Sequence, residues 1–284
     1  MNALPPPPAA DWNSDALVLD AYLARIGFEG RATADFETLR RLHRAHVDAV
    51  SWEIVDLAVG HRISLDLPSL QKKIVDSGRG GCCLENNLLF AAALDQVGFT
   101  STRHLARVRR GSDAIRYRSH AVVIVEAEGR RYLADVGFGD EGPLEPIPFE
   151  DGAEVTVGDW TWKLDREGEG ESEEWVLRCL HHDGWFDVYS LREEQHHWID
   201  FEVSNVYTST NPASPFIGKL VAQRGDDTVR HTLRHRTLFA DYADGFKHQR
   251  ELTTDEAITH LRDTFRITLS HDDERVLRER VLVH

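Results

Sequence analysis

The sequence predicts an α+β fold: a helical N-terminal third, a long run of antiparallel strands, and a closing segment of strands with one helix. Three observations carry that reading. Apolar residues recur at helical spacing up to Gly98, alternation and β-branched runs take over from Thr100, and a capped amphipathic pattern returns at Thr254 to Phe265.

The helical part opens with Ala16, Leu17, Leu19, Tyr22 and Leu23 and stops at the Gly27 to Gly30 stretch. Leu39, Leu42, His43, His46, Val47 and Val50 follow, with Thr33 as the expected cap, and Asp66 with Pro68 opens a third helix over Ser69 to Asp76. A fourth carries Leu84, Leu88, Leu89, Ala92, Ala93 and Val97 on its apolar side. Strands then read Thr102 to Arg109, His120 to Ala127, Arg131 to Val136, Glu154 to Leu164, Trp175 to Leu180 and Trp185 to Leu191, as an antiparallel sheet or small barrel. Asp165 to Glu174, with six acids among ten residues, reads as a solvated hairpin loop. After a Pro-rich turn at Thr208 to Pro215, strands are expected near Leu220 to Arg224 and His231 to Phe239, before the last helix.

Composition narrows the function by exclusion. Thirty-three basic against 48 acidic residues leave a formal charge of −15, which disfavours sequence-independent binding to nucleic acid or to an anionic membrane. No apolar stretch is long enough to span a bilayer, and Met1 to Ala10, with its Pro5 to Pro8 run, reads as a stiff tail and not a signal peptide. Three cysteines, two of them adjacent, cannot build a disulfide framework, so a reducing, cytoplasmic setting is expected. His181-His182 and His196-His197 lack a chelating partner set beyond Cys179, and no metal is expected.

One segment carries chemistry. Arg79-Gly80-Gly81-Cys82-Cys83-Leu84-Glu85-Asn86-Asn87 delivers Cys83 by a glycine turn to the first turn of a helix, where free backbone N–H groups and the positive dipole end stabilise a thiolate. Such a nucleophile needs a base. His120 begins an apolar strand that returns through Glu128-Gly129 to Asp135; with those two residues as the loop, paired positions sum to 257. His120 and Asp135 then become diagonal neighbours on one face, roughly 7–8 Å apart at the backbone. A one-residue slip would separate them, so the triad rests on the turn. In that arrangement Cys83 attacks, His120 holds and returns the proton, and Asp135 orients the imidazole.

The Arg79 to Asn87 run resembles the Arg-Gly-Gly-aromatic-Cys-x-Glu-x-Asn signature of the arylamine N-acetyltransferase family, and His120 and Asp135-Val136-Gly137-Phe138-Gly139 match its other two elements. Spacings of 37 and 15 residues between the three are similar to those of bacterial members. Similarity extends from Tyr22-Leu23-Ala24-Arg25-Ile26-Gly27 through Gly142-Pro143-Leu144-Glu145-Pro146 to Tyr207-Thr208-Ser209-Thr210-Asn211-Pro212. The resemblance implies a cysteine-protease-like core: a helical bundle over 1–98 carrying the nucleophile, an antiparallel β-barrel over 99–205 carrying His120 and Asp135, and an α/β lid over 206–284. It implies ping-pong transfer of an acetyl group from acetyl coenzyme A, through a Cys83 thioester, to an arylamine, hydrazine or arylhydroxylamine.

The same resemblance gives other residues expected roles. Glu53 pairs with Arg79 to hold the nucleophile turn, Asn87 supports the triad, and Trp52, Phe138 and Gly139 contact substrate. Gly137 and Gly139 are expected to let backbone approach the thioester or coenzyme. Thr210 and Ser214 are expected at the coenzyme. Arg109 and Arg110 belong to a basic strip running from Arg103 to Arg118, opposed only by Asp113, which reads either as a seat for coenzyme phosphates or an acidic carrier protein, or as a solvated strand face. Two departures bear on the acceptor: Trp52 stands where phenylalanine is usual, and Cys82 where an aromatic residue is usual. An amide synthase of the ansamycin-polyketide type, fed by a carrier-bound acyl thioester, is the alternative within the same chemistry. A thiol hydrolase related to papain or transglutaminase is the alternative outside it.

Overall fold

The computed structural model describes residues 12–112 and 114–283; the Pro5 to Pro8 tail and Asp113 lie outside the described residues. The helices are α1 (Leu19–Arg25), α2 (Phe36–Ala49), α3 (Val55–Val59), α4 (Leu67–Leu70), α5 (Cys83–Val97), α6 (Trp198–Thr210), α7 (Thr254–Asp263) and α8 (His271–Val276). Asp35, not Thr33, caps α2, its carboxylate accepting from Thr38 N at 2.8 Å. Asp66 caps α4 through Ser69 N, and α4 starts two residues before Ser69 and passes into π-wound turns over Gln71–Asp76. α5 is the central helix. Leu84 to Leu94 are all buried, because that stretch is apolar nearly all round and Glu85, Asn86 and Asn87 bond to Lys73, the Gly81 carbonyl and Asp135.

Eight strands form one antiparallel, barrel-like sheet in the order β5-β4-β3-β2-β9-β8-β7-β6. They are β2 (Thr100–Val108), β3 (Arg118–Ala127), β4 (Arg130–Ala134), β5 (Ile147–Pro148), β6 (Ala153–Val157), β7 (Trp160–Glu167), β8 (Glu174–His181) and β9 (Gly184–Leu191). The two edge strands, β5 and β6, are joined by only four residues, so the sheet is nearly closed. Glu154 to Leu164 is therefore a hairpin, turning at Gly158-Asp159, and not one strand. β7 also runs three residues into the acidic loop, pairing Asp165, Arg166 and Glu167 with β8.

A second, five-stranded sheet has the order β1-β10-β11-β12-β13, with β1 (Trp52–Glu53), β10 (Val221–Gly225), β11 (Val229–Arg234), β12 (Thr237–Tyr242) and β13 (Lys247–Glu251). His231 to Phe239 thus spans a turn at His235-Arg236. α7 and the C-terminal helix pack on this sheet through Leu233, Ile258, Leu261, Phe265 and Leu277. The expected division at 205/206 falls inside α6, and β1, from the helical segment, is an edge strand of the C-terminal sheet. No helix among the described residues is long and apolar enough to cross a membrane.

Candidate active site

The turn that leads into Cys83 is held by charge and by close packing. Arg79 Nε and Nη2 reach the two carboxylate oxygens of Glu53 at 2.9 and 3.2 Å, and Nη2 also reaches Asp56 at 3.0 Å. Glu53 is fully buried, so the bidentate pair is a fixed brace and not a surface contact. At Gly80 a Cβ would lie 2.2 Å from the Ser51 carbonyl oxygen, which bars any side chain there. Cys82 is the N-cap of α5, and Glu85, three residues on, accepts from its backbone N–H at 2.8 Å while receiving Lys73 at 2.7 Å. Cys83 is the first helical residue and is partly exposed.

The β3–β4 hairpin has the register the turn predicts: Val123 faces Ala134 and Ala127 faces Arg130, both sums being 257. His120 Nε2 and Asp135 Oδ2 meet at 2.7 Å, both groups buried. Asp135 is tied further. Its Oδ1 accepts from Asn87 Nδ2 at 2.8 Å and from Gly137 N at 2.9 Å, and its own N–H donates to His43 Nε2 at 3.2 Å. His43 Nδ1 donates in turn to the Leu144 carbonyl, and burial keeps this ring neutral, its pKa pushed down to about 4. A Cβ at Gly137 would sit 2.7 Å from Asn87 Nδ2 and 3.1 Å from Cys83 Cα. Gly137 thus brings the hairpin against the nucleophile helix and does not face a ligand.

Nε2 is taken by Asp135, which leaves Nδ1 as the imidazole nitrogen able to exchange a proton with Cys83, whose thiol donates to the Ser119 carbonyl at 3.4 Å. The thiol of Cys83 is held down to about 5, first by the neighbouring Cys82 thiol and then, against the cost of burial, by His120 and its charge. Burial opposes the charged His120 ring, but Asp135 outweighs it and raises the imidazole to about 9. The pair titrates together, so its thiolate–imidazolium form spans about pH 5 to about 9. Iodoacetamide should accordingly alkylate Cys83 with a rate that rises near pH 5, levels, and changes again only near pH 9. A rate that first rises above pH 8 would contradict this electrostatic picture.

The thiol opens into a cleft of about 840 Å³ lined by Trp52, Cys82, Cys83, His120 and Phe138 and, from the C-terminal part, Tyr207, Phe216 and Lys219. Phe138 stands edge-on to His120, centroids 4.9 Å apart, and Tyr189 lies 4.8 Å from the same imidazole and 5.5 Å from Phe138. Trp52 packs against Phe216 at 5.7 Å.

An N-acetyltransferase family model matches residues 35–274. The arylamine N-acetyltransferase of Mycolicibacterium smegmatis is 32% identical over 272 residues, covering 94% of this chain and 98% of that protein. The crystal structure of Nocardia farcinica arylamine N-acetyltransferase superposes with a TM-score of 0.89 at 39% identity, covering 99% of this chain and 100% of the other. The chain belongs to the arylamine N-acetyltransferase family. The Mycobacterium marinum family member, solved in complex with CoA, matches with a TM-score of 0.85 at 29% identity, over 93% of this chain and 98% of that one.

The other residues expected to contact ligand have the following partners in the structure. Arg109 is enclosed by Glu174 at 2.5 Å, Asp187 at 2.8 Å and Glu167 at 3.0 Å and does not line the cleft, because three strands bring their acids to it. Arg110 does line the cleft, paired with Asp140 at 2.6 Å and lying over Phe138. Thr210 turns its hydroxyl to the Val206 carbonyl and Ser214 to that of Thr208, so both serve α6 and its exit turn. Gly139, at φ +89°, backs onto Gln223 and not onto the cleft, and only glycine fits there. Arg116, from the basic strip, also lines the cleft, as do Lys219 and Arg234, which sequence reading passed over; none of the three has a carboxylate partner among the described residues. His43 could have been flagged as a histidine on the buried face of an amphipathic helix; Tyr189 arrives from β9 with no local signal. Cys179, Glu141 and His181 do gather within 4.8 Å, but Arg230 occupies the group, 2.7 Å from Glu141 and 3.1 Å from the sulfur, and supplies the cation itself.

Proposed function

We propose that this protein transfers an acetyl group from acetyl coenzyme A to an arylamine, hydrazine or arylhydroxylamine through a thioester on Cys83. The observation that carries the reading is Cys83 at the start of α5, lining an open cleft together with His120, which Asp135 holds at 2.7 Å. In this reading the Cys83 thiolate attacks the donor carbonyl, and the His120 imidazolium protonates the leaving coenzyme thiolate. The amine then attacks the acyl-enzyme, His120 takes its proton, and Cys83 leaves as thiolate. The donor thioester and the enzyme thioester are alike in energy, so the first half-reaction is nearly reversible. Arg110, Arg116, Lys219 and Arg234 are the cations placed to receive the coenzyme's phosphates. Trp52, Phe138 and Phe216 offer ring faces to an aryl acceptor.

Incubation with acetyl coenzyme A should add one acetyl group, located on Cys83 by peptide mass spectrometry and absent from Cys83→Ala. An arylamine should discharge it. Absence of the adduct with acetyl donor, together with acylation by longer or carrier-bound thioesters, would replace this reading by amide synthesis from a carrier-bound acyl group. Discharge by water faster than by any amine would replace it by a thiol hydrolase.

A further inference from the structure

Cys82 has no part in the transfer chemistry above, yet it directly precedes Cys83 and lines the same cleft. The neighbouring thiol lowers the pKa of Cys83 and raises that of Cys82. The Cys82 proton is held firmly, by that neighbour and by burial, so the two sulfurs form a thiol beside a thiolate. The third cysteine, Cys179, is fully buried with its sulfur 3.1 Å from Arg230, and cannot reach this pair. The Cys82 carbonyl accepts the first helical bond, from Asn86 N at 2.9 Å, but the residue itself lies outside the helix. It is the N-cap, in extended conformation, and its N–H is satisfied by the Glu85 side chain and not by a backbone ladder.

We propose that Cys82 is the resolving thiol of Cys83, forming a reversible Cys82–Cys83 disulfide when a hydroperoxide oxidises the nucleophile. This rests on the reading of Cys83 as the reactive thiolate. In the first step the Cys83 sulfur attacks one peroxide oxygen, the O–O bond breaks, and Cys83 becomes a sulfenic acid. The departing oxygen leaves as water or an alcohol, protonated from His120. In the second, the Cys82 sulfur attacks the Cys83 sulfur, the S–O bond breaks, and the hydroxide leaves as water with the Cys82 proton. Overall two thiols are oxidised by two electrons and one hydroperoxide is reduced. Two equivalents of a small thiol reverse the change and become a disulfide themselves.

Adjacent residues also determine what kind of disulfide this is. Consecutive Cα atoms are about 3.8 Å apart, short of the roughly 4.4–6.8 Å that disulfides ordinarily span. The bond is therefore strained and easily reduced, which suits a protective lock and not a structural staple. While it exists, Cys83 cannot proceed to the sulfinic acid, from which this chemistry offers no return.

The test uses the full chain treated with a small excess of hydrogen peroxide, denatured in iodoacetamide, and read by intact and peptide mass. The expected product has lost two hydrogens, with Cys82 and Cys83 both blocked to alkylation and Cys179 alkylated; dithiothreitol then restores about nine-tenths of the starting activity. In Cys82→Ser, which keeps a good N-cap, and in Cys82→Ala, the same treatment should give Cys83 carrying two added oxygens. Each should then recover less than about one-tenth of its own untreated activity. Equal accumulation of sulfinic acid in wild type and variants would overturn the proposal and leave Cys83 standing as the nucleophile. So would a product in which Cys82 remains alkylatable, the mark of capture by a backbone nitrogen. A Cys83 that neither oxidises nor alkylates at neutral pH would overturn both readings.

Discussion

Asp135→Asn is expected to lower kcat/KM for acetyl transfer by about 10⁴-fold, about 5.5 kcal/mol of transition-state stabilisation, while leaving the fold intact. The reason lies in how the carboxylate is held. Its Oδ1 is fixed by two donors, Asn87 Nδ2 and the Gly137 N–H, so an asparagine must keep its amide oxygen there and turn its NH₂ towards His120 Nε2. Nε2 then becomes the acceptor, and the ring proton moves to Nδ1, the nitrogen that faces Cys83. The imidazole presents a donor where it must receive a proton. The imidazolium also loses the charge that raises it to about 9, so the upper limb of the Cys83 alkylation profile should move to lower pH. Steady-state rates together with that profile check the prediction, and near-normal rates would remove Asp135 from the mechanism.

Arg79→Met should destabilise the protein by about 3–5 kcal/mol, as removal of one partner from a buried ion pair does. That is a large share of the roughly 5–15 kcal/mol that holds a typical domain folded. The cost arises because Glu53, fully buried, loses both of its guanidinium contacts, and Asp56 and Asp273 lose one each. Adding Glu53→Gln to Arg79→Met should recover part of the loss, since the charge left without a partner is then gone. Denaturant midpoints of the two single variants and the double variant measure this. A double variant weaker by the plain sum of the two would show that the residues do not act as a pair.

What could be read from sequence was local. The β3–β4 register follows from a two-residue turn and a period of two, so His120 and Asp135 could be placed on one face without knowing any other strand. Cys83 followed from a glycine turn entering an apolar helix. The errors came where distant segments decide. Arg109 lies in a basic strip, yet Glu167, Glu174 and Asp187 close around it only once β7, β8 and β9 are aligned. The cleft cations Lys219 and Arg234 lie more than a hundred residues from Cys83, and no spacing connects them to it. α8 was missed because His271–Val276 is short and mostly charged, with an apolar face too narrow to give a period.

The two-residue strand β1 has a consequence out of proportion to its length. Trp52 and Glu53 pair on one side with Gln223 and Ala222 of β10, and on the other they meet Gly81, with Glu53 N donating to the Gly81 carbonyl at 3.1 Å. The loop that presents Cys83 is thus hung from a strand that the last quarter of the chain completes. Every group assigned to the bond-making steps occurs before residue 136, but a fragment ending there would own the reagents without the frame. β10 acts as the anvil on which the loop before Cys83 is shaped, and that loop reaches its form only when the far end of the chain has folded back onto its beginning.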